Sequence, residues 1–300
     1  MAIWRRVSSL ARRSPAPSPA PVRVPPPPRR FDLPLPEGRT LLVEAPRKLR
    51  IPRLLQEEGL RGHEAATLAC LLAATERREA GTLFDVGANV GVFSLPVSKL
   101  ADWNAVAFEP TPRVAATARR MAELNACPVR VEELALGRVA GSATFYLSRR
   151  SDASNSLNPE FREAKDSLTV PVETLDDFCA RTGLVPDLIK IDTESTEADV
   201  LAGGIDVLRT HRPWLFVEVL DTALGSEIAA LLDPLDYHAH PIRDTLPPEP
   251  SPVIESIGLW QRNWLFTPEP LDPAYGQRTV AWAERIAATP LPQEAKTDGR

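Results

Sequence analysis

The sequence predicts an α/β fold built on a doubly wound, mostly parallel sheet. Three observations carry this. A short apolar run, Thr82-Leu83-Phe84-Asp85-Val86, opens onto Gly87-Ala88-Asn89-Val90-Gly91 and then a helical pattern, as a first parallel strand hands over to a helix. Further apolar runs end in single acids at Glu109, Asp192 and Glu218, as Asp85 ends the first. Strand-like and helix-like segments alternate regularly from residue 82 onward, which is the signature of βα units around a parallel sheet.

In chain order, residues 1–30 hold seven arginines, eight prolines and no acid, so they cannot bury a core. An extended arm is expected over 1–36, although Ile3, Trp4, Val7 and Leu10 would share one helical face. A helical extension is expected over 37–80, centred on the Ala- and Leu-rich stretch 63–78. The main domain would occupy 81–270. Its strands are expected at 83–86, 105–109, 129–136, 188–192 and 214–219, with helices at 90–100, 114–124, 196–209 and 225–232 between them. A β excursion at 143–147, a short strand at 168–172, a helix at 174–181 and a late strand at 263–266 complete it. A C-terminal helix and tail would follow over 271–300.

The 43% apolar content suffices for a real core, and a net charge of −5 gives no reason to expect nucleic acid as a partner. Cys70, Cys127 and Cys179 are odd in number and scattered, which favours a reducing, cytoplasmic compartment and argues against disulfides or zinc. No apolar run reaches the roughly 20 residues that span a bilayer. His238-Ala239-His240 reads as a surface turn.

The opening turn limits the cofactor. Dinucleotide binders use G-x-G-x-x-G to hold a pyrophosphate, and P-loops add Lys-Ser/Thr; here the spacing is G-x-x-x-G. Glu109, at the end of the next strand, suits bidentate bonding to ribose hydroxyls. An adenosine cofactor without a pyrophosphate fits best, and S-adenosylmethionine is the common one. An ordinary strand–turn–helix is the plainer reading of the glycines alone. A nicotinamide oxidoreductase is disfavoured by the missing third glycine.

Asp192-Thr193-Glu194-Ser195-Thr196-Glu197 crowds three carboxylates into a strand-to-helix turn. Such crowding raises carboxyl pKa values toward those of a general base. A divalent cation would also relax the repulsion, though no metal site is assigned. Acids also favour a first helical turn, and Thr196-x-x-Asp199 matches a capping box.

Together these motifs resemble the FkbM-type methyltransferase domain over 83–220. The resemblance rests on Phe84-Asp85-Val86-Gly87-Ala88-Asn89-Val90-Gly91, Ala107-Phe108-Glu109-Pro110, Ala135-Leu136-Gly137 and the serine-rich loop at 154–157. Val172-Glu173-Thr174-Leu175-Asp176-Asp177, Leu188-Ile189-Lys190-Ile191-Asp192 and Arg212-Pro213-Trp214 continue it. It implies a Rossmann-like class I methyltransferase fold, S-adenosylmethionine as cofactor and a hydroxyl acceptor on a saccharide or secondary metabolite. Carried over by position, Asp85, Gly87, Asn89, Gly91 and Glu109 would shape the cofactor site, with Ala135 near the adenine. Asp192 or Glu194 is the expected base. Ser154, Ser156, Glu197 and Glu218 are expected to shape the acceptor pocket. One departure stands out: Ser195 occupies a position where that family usually has glycine. If the turn needs positive φ there, serine strains it by about 1 kcal/mol. A cofactor-binding interaction module without catalysis is therefore the alternative.

Overall fold

A computed structural model describes residues 27–255 and 262–294. Residues 1–26, with the Ile3/Trp4/Val7/Leu10 face, lie outside the described residues. Two strands come first: β1 (Arg29–Pro34) and β2 (Thr40–Ala45) form an antiparallel pair. The arm expected over 1–36 therefore ends earlier than its proline content implied. Phe31 and Leu33 alternate with polar neighbours and are buried, which fixes 29–34 as a strand. Helices α1 (Arg50–Glu58) and α2 (Ala65–Thr75) follow, so the extension is only partly helical.

The main sheet then assembles in the predicted alternation. Its parallel strands are β3 (Thr82–Val86), β4 (Asn104–Phe108), β5 (Val129–Glu132), β9 (Leu188–Ile191) and β10 (Trp214–Glu218). Helices α3 (Ser94–Ala101) and α4 (Pro112–Leu124) connect the first three. The strand expected over 129–136 divides after Glu132: β5 stays in the main sheet, while β6 (Ala135–Leu136) joins a second sheet. That sheet pairs β6 and β7 (Gly141–Ser148) with β8 (Ala164–Glu173), and α5 (Leu175–Thr182) follows. The helix expected over 196–209 is broken into α6 (Glu197–Ala202) and α7 (Ile205–His211). Gly203 sits at the break, where a Cβ would lie 2.1 Å from the Gly137 carbonyl oxygen.

After β10 come α8 (Thr222–Leu232), β11 (His238–Pro241), β12 (Asn263–Thr267), α9 (Pro273–Ala287) and β13 (Gln293–Glu294). His238 and His240 belong to β11 rather than to a surface turn. His240 is buried, with Nε2 3.4 Å from the Thr267 hydroxyl, and burial pushes its pKa down to about 4.

The seven-stranded order is β11-β12-β10-β9-β3-β4-β5, with β12 antiparallel to both neighbours. Strand order reverses between β3 and β9, and ligands in such sheets sit outside the carboxyl ends there. On one face, Phe84, Phe108 and Phe178 meet edge-on at 4.8–5.6 Å within a core closed by α5 to α8. On the other, the extension and α9 share one core with α3 and the sheet. The Tyr275 hydroxyl donates to the Cys70 carbonyl and its ring packs edge-on against Trp214 at 5.0 Å. Each fully buried aromatic contributes about 2–3 kcal/mol, so the extension is anchored, and the start of α2 lies beside the carboxyl rim of the sheet. Among the described residues, no helix is long and apolar enough to cross a membrane.

Candidate active site

A cleft of about 770 Å³ opens at that rim, within the range of small-molecule sites. Asp85, Gly87, Asn89, Glu109, Ala135, Ser154, Asp192, Glu194 and Glu218 all line it. Gly91, Ser156 and Glu197 do not, and each proves to hold the surrounding turns.

The turn after β3 explains its glycines. Gly87 lies at φ +79°, and a Cβ there would sit 1.8 Å from the Asp192 carbonyl oxygen, so the two rim turns can touch only through glycine. Gly87 and Ala88 donate their N–H groups to the Phe108 carbonyl at 3.0 and 3.1 Å. Gly91, at φ +82°, serves the turn itself by donating to Ala88 at 2.8 Å. The Asp85 carboxylate caps α3, accepting from the Ser94 N–H at 3.0 Å and from the Ser94 hydroxyl. Burial pushes its pKa up to about 6, against those bonds and the charge on Lys190.

Glu109 is held at two points. One carboxylate oxygen accepts from Asn89 N–H at 3.1 Å and the other from Thr111 N–H at 2.8 Å. A carboxylate oxygen can accept more than one hydrogen bond, and these two set the orientation of the side chain on the cleft wall. The side chain is oriented before any ligand arrives.

The acidic turn after β9 is built from inside. Glu194 and Ser195 lie at φ +60° and +88°, both left-handed, so the strain expected of Ser195 is present, on the order of 1 kcal/mol. Five hydrogen bonds hold the turn. Glu197 Oε1 accepts from the Thr193 N–H (2.8 Å), the Thr193 hydroxyl (3.1 Å) and the Ser195 N–H (3.2 Å). The Ser156 hydroxyl donates to the Glu194 carbonyl at 2.6 Å, and Asn158 Nδ2 donates to the Ser195 hydroxyl at 3.0 Å. Glu197 is wholly buried and Ser156 nearly so; both support the turn instead of facing an acceptor. The capping box fails as well: Thr196 makes no side-chain cap bond.

Carboxylate oxygens of Asp192, Glu197 and Glu218 lie within 4.8 Å of one another, a spacing that a cation could span. The protein meets part of this negative charge itself. Lys190, fully buried in β9, places Nζ 3.6 Å from Asp192 Oδ2 and 3.9 Å from Glu64 Oε2, over the Phe93 ring at 5.2 Å. Burial alone would lower the lysine's pKa, but Asp192, Glu64, Glu218 and Asp85 outweigh it and raise it. Burial, then Asp192 and Glu197, pushes Glu194 up to about 8, with Arg162 and Arg262 opposing. Burial also pushes Glu197 up to about 7 and Glu218 well above the carboxylate range. Lys190 was missed by the sequence reading. A lysine inside a four-residue strand of Leu and Ile is the signal that could have found it.

These shifts make stability depend on pH. Glu194 holds its proton more tightly folded than unfolded, so its contribution is complete below about pH 4.5 and is lost as pH rises through about 8. Glu194→Gln, permanently uncharged, lacks that loss. The melting temperature of the wild type relative to Glu194→Gln should therefore fall steadily between those two pH values in paired thermal melts. A constant difference would refute the assignment.

The methyltransferase FkbM domain family matches residues 85–240. Methyltransferase 1 of Beauveria bassiana is 30% identical over 145 residues, covering 40% of this chain and 57% of that protein. The 2-O-methyltransferase NoeI of Sinorhizobium fredii is 35% identical over 133 residues, covering 39% and 54%. The chain thus spans little more than half the length of these relatives. The structure of methyltransferase FkbM from Methylobacillus flagellatus is 18% identical and covers 63% of this chain and 44% of that one, with a TM-score of 0.43. Since the match of 85–240 takes in the glycine turn, Glu109, Ala135 and the whole acidic rim, the chain belongs to the methyltransferase FkbM domain family.

Proposed function

We propose that the cleft transfers a methyl group from S-adenosylmethionine to a hydroxyl on a saccharide or secondary metabolite. The observation that carries this is the pairing of two halves in one cleft: Glu109, preset on two backbone N–H groups, and the Asp192–Glu194–Glu218 rim across the switch point. The residues fit the cofactor. Glu109 would take the ribose hydroxyls, the Gly87 turn lets backbone approach closely, and Ala135, with Leu136 and Phe108, supplies an apolar wall for the adenine. Similarity to NoeI, a 2-O-methyltransferase, supports oxygen as the acceptor atom.

When bound, S-adenosylmethionine supplies a methyl group on a cationic sulfur, so that one C–O bond forms, one C–S bond breaks and the electron pair stays on sulfur. The chain's own residues then have two tasks. The cleft aligns the acceptor oxygen with the methyl carbon, which accounts for much of the rate in an in-line displacement. Asp192, beside the Lys190 ammonium, takes the hydroxyl proton as attack proceeds. Glu194, its pKa pushed up to about 8, is protonated at neutral pH and hydrogen-bonds the acceptor without adding charge. Ser154 and Glu218, which both line the cleft, would shape the acceptor side.

The test is methyl release from labelled cofactor against a panel of saccharide and small-molecule alcohols. Labelled methyl ether on an alcohol is the expected product. Ser195 in a left-handed turn favours a second reading, a cofactor-binding module without turnover. Cofactor binding with no transfer to any acceptor would select it.

A further inference from the structure

Glu64 sits at the mouth of α2, ahead of the residues that the family match covers. It occupies the N-cap position at φ +44°, a left-handed conformation unfavourable for a non-glycine residue, yet its side chain makes no cap bond to the helix it precedes. Instead the carboxylate turns toward the cleft, where Oε2 is buried without a hydrogen-bond donor, 3.9 Å from Lys190 Nζ. Lys190 Nζ likewise lacks a hydrogen-bond partner and has Asp192 Oδ2 on its other side at 3.6 Å. The neighbouring His63 ring lies 5.9 Å from the Phe93 ring, over which the ammonium sits. The extension is thus docked onto the buried Lys190 ammonium beside the proposed base.

We propose that Glu64 is a positioning residue of the methyl-transfer site: paired with Lys190, it fixes where that ammonium stands and so orients the Asp192 carboxylate toward the acceptor. The proposal rests on the methyl-transfer reading above and adds that residues ahead of the family's domain complete its active site. The physical reason is geometric. A lysine ammonium is a point charge on a four-carbon stem; facing Asp192 alone it would swing toward that carboxylate and close on it. Glu64, held by α2, pulls from the opposite side and leaves Asp192 free to meet a hydroxyl. Lys190 also faces Glu218 from β10 and Asp85 from β3, while Asp192 faces Glu194, Glu197 and Glu218.

The test compares wild type, Glu64→Gln, Glu64→Asp and Lys190→Met by kcat and KM across pH. Glu64→Gln is expected to lower kcat about 10-fold, with KM for cofactor and acceptor within about 3-fold. The acidic limb of its rate profile should move to lower pH, because Lys190 then faces one negative charge fewer. Lys190→Met leaves the carboxylates uncompensated, so its limb should move to higher pH, while Glu64→Asp should recover part of kcat. Opposite displacements are something a purely structural role would not produce. Should Lys190→Met fail to fold, the two Glu64 variants carry the test. Unchanged kcat and limb in Glu64→Gln, or a displacement to higher pH, would overturn the proposal. A wild type that transfers no methyl group counts against the methyl-transfer reading instead. The pairing is then read from the Lys190 ε-carbon resonance, which must titrate at lower pH in Glu64→Gln than in wild type and overturns the pairing if it does not.

Discussion

Asp192→Asn is expected to lower turnover by about 100- to 10,000-fold, the span that a positioned general base contributes. The substitution keeps the shape of the side chain and removes its basicity. The Asp192 backbone is fixed independently, through its N–H to Val86 at 2.9 Å and its carbonyl packed over Gly87. Its effect should therefore fall on kcat, with cofactor affinity within a few-fold of wild type. Glu194→Gln makes the contrast. At neutral pH Glu194 is already protonated, its pKa pushed up to about 8, so its amide should retain far more activity than Asp192→Asn. Equal losses in the two variants would mean that the carboxylates act as a pair and that the single-base assignment is wrong.

The second large effect belongs to Glu109. Glu109→Ala removes the proposed acceptor of two ribose hydroxyls together with the brace between Asn89 N–H and Thr111 N–H. Hydrogen bonds to a charged group are each worth about 1.5–3 kcal/mol, so losing two should weaken cofactor binding by 100-fold or more. Glu109→Gln keeps one acceptor oxygen and should fall in between. Because Glu109 lies off the path of the proton, both variants should regain much of their kcat at saturating cofactor. A kcat loss that saturation does not relieve would contradict this division of labour.

The parts of this site that the sequence made legible are those written in local grammar. Gly87 marks a strand-to-helix turn whose left-handed φ only glycine adopts cheaply, and Glu109 and Asp192 mark where apolar strands end. The parallel, doubly wound character of the sheet followed from the alternation of strands and helices. The alternation of Val129-Arg130-Val131-Glu132 stops at Glu133, but that the following Ala135-Leu136 turns away depends on its pairing with β8, a distant segment. The helix break at Gly203 depends on Gly137 approaching from a distant segment, which no window of sequence reports. Glu197 and Ser156 look like site residues by composition, since acids and serines beside a catalytic turn read alike whether they face inward or outward. Their hydrogen bonds, not their spacing, show that they hold the turn. Lys190 was visible as a charge in an apolar strand. Glu64 was not, because nothing near it in sequence encodes a contact across the sheet.

The central claim is that this cleft holds an adenosine-bearing methyl donor against Glu109, within reach of Asp192. Calorimetric titration with S-adenosylhomocysteine tests it most directly, on wild type and Glu109→Ala side by side. Saturable, one-to-one binding to the wild type is expected, with a loss of about 100-fold or more in the variant. Equal affinity in the two proteins, or stabilisation by NAD with no binding of S-adenosylhomocysteine, would contradict it.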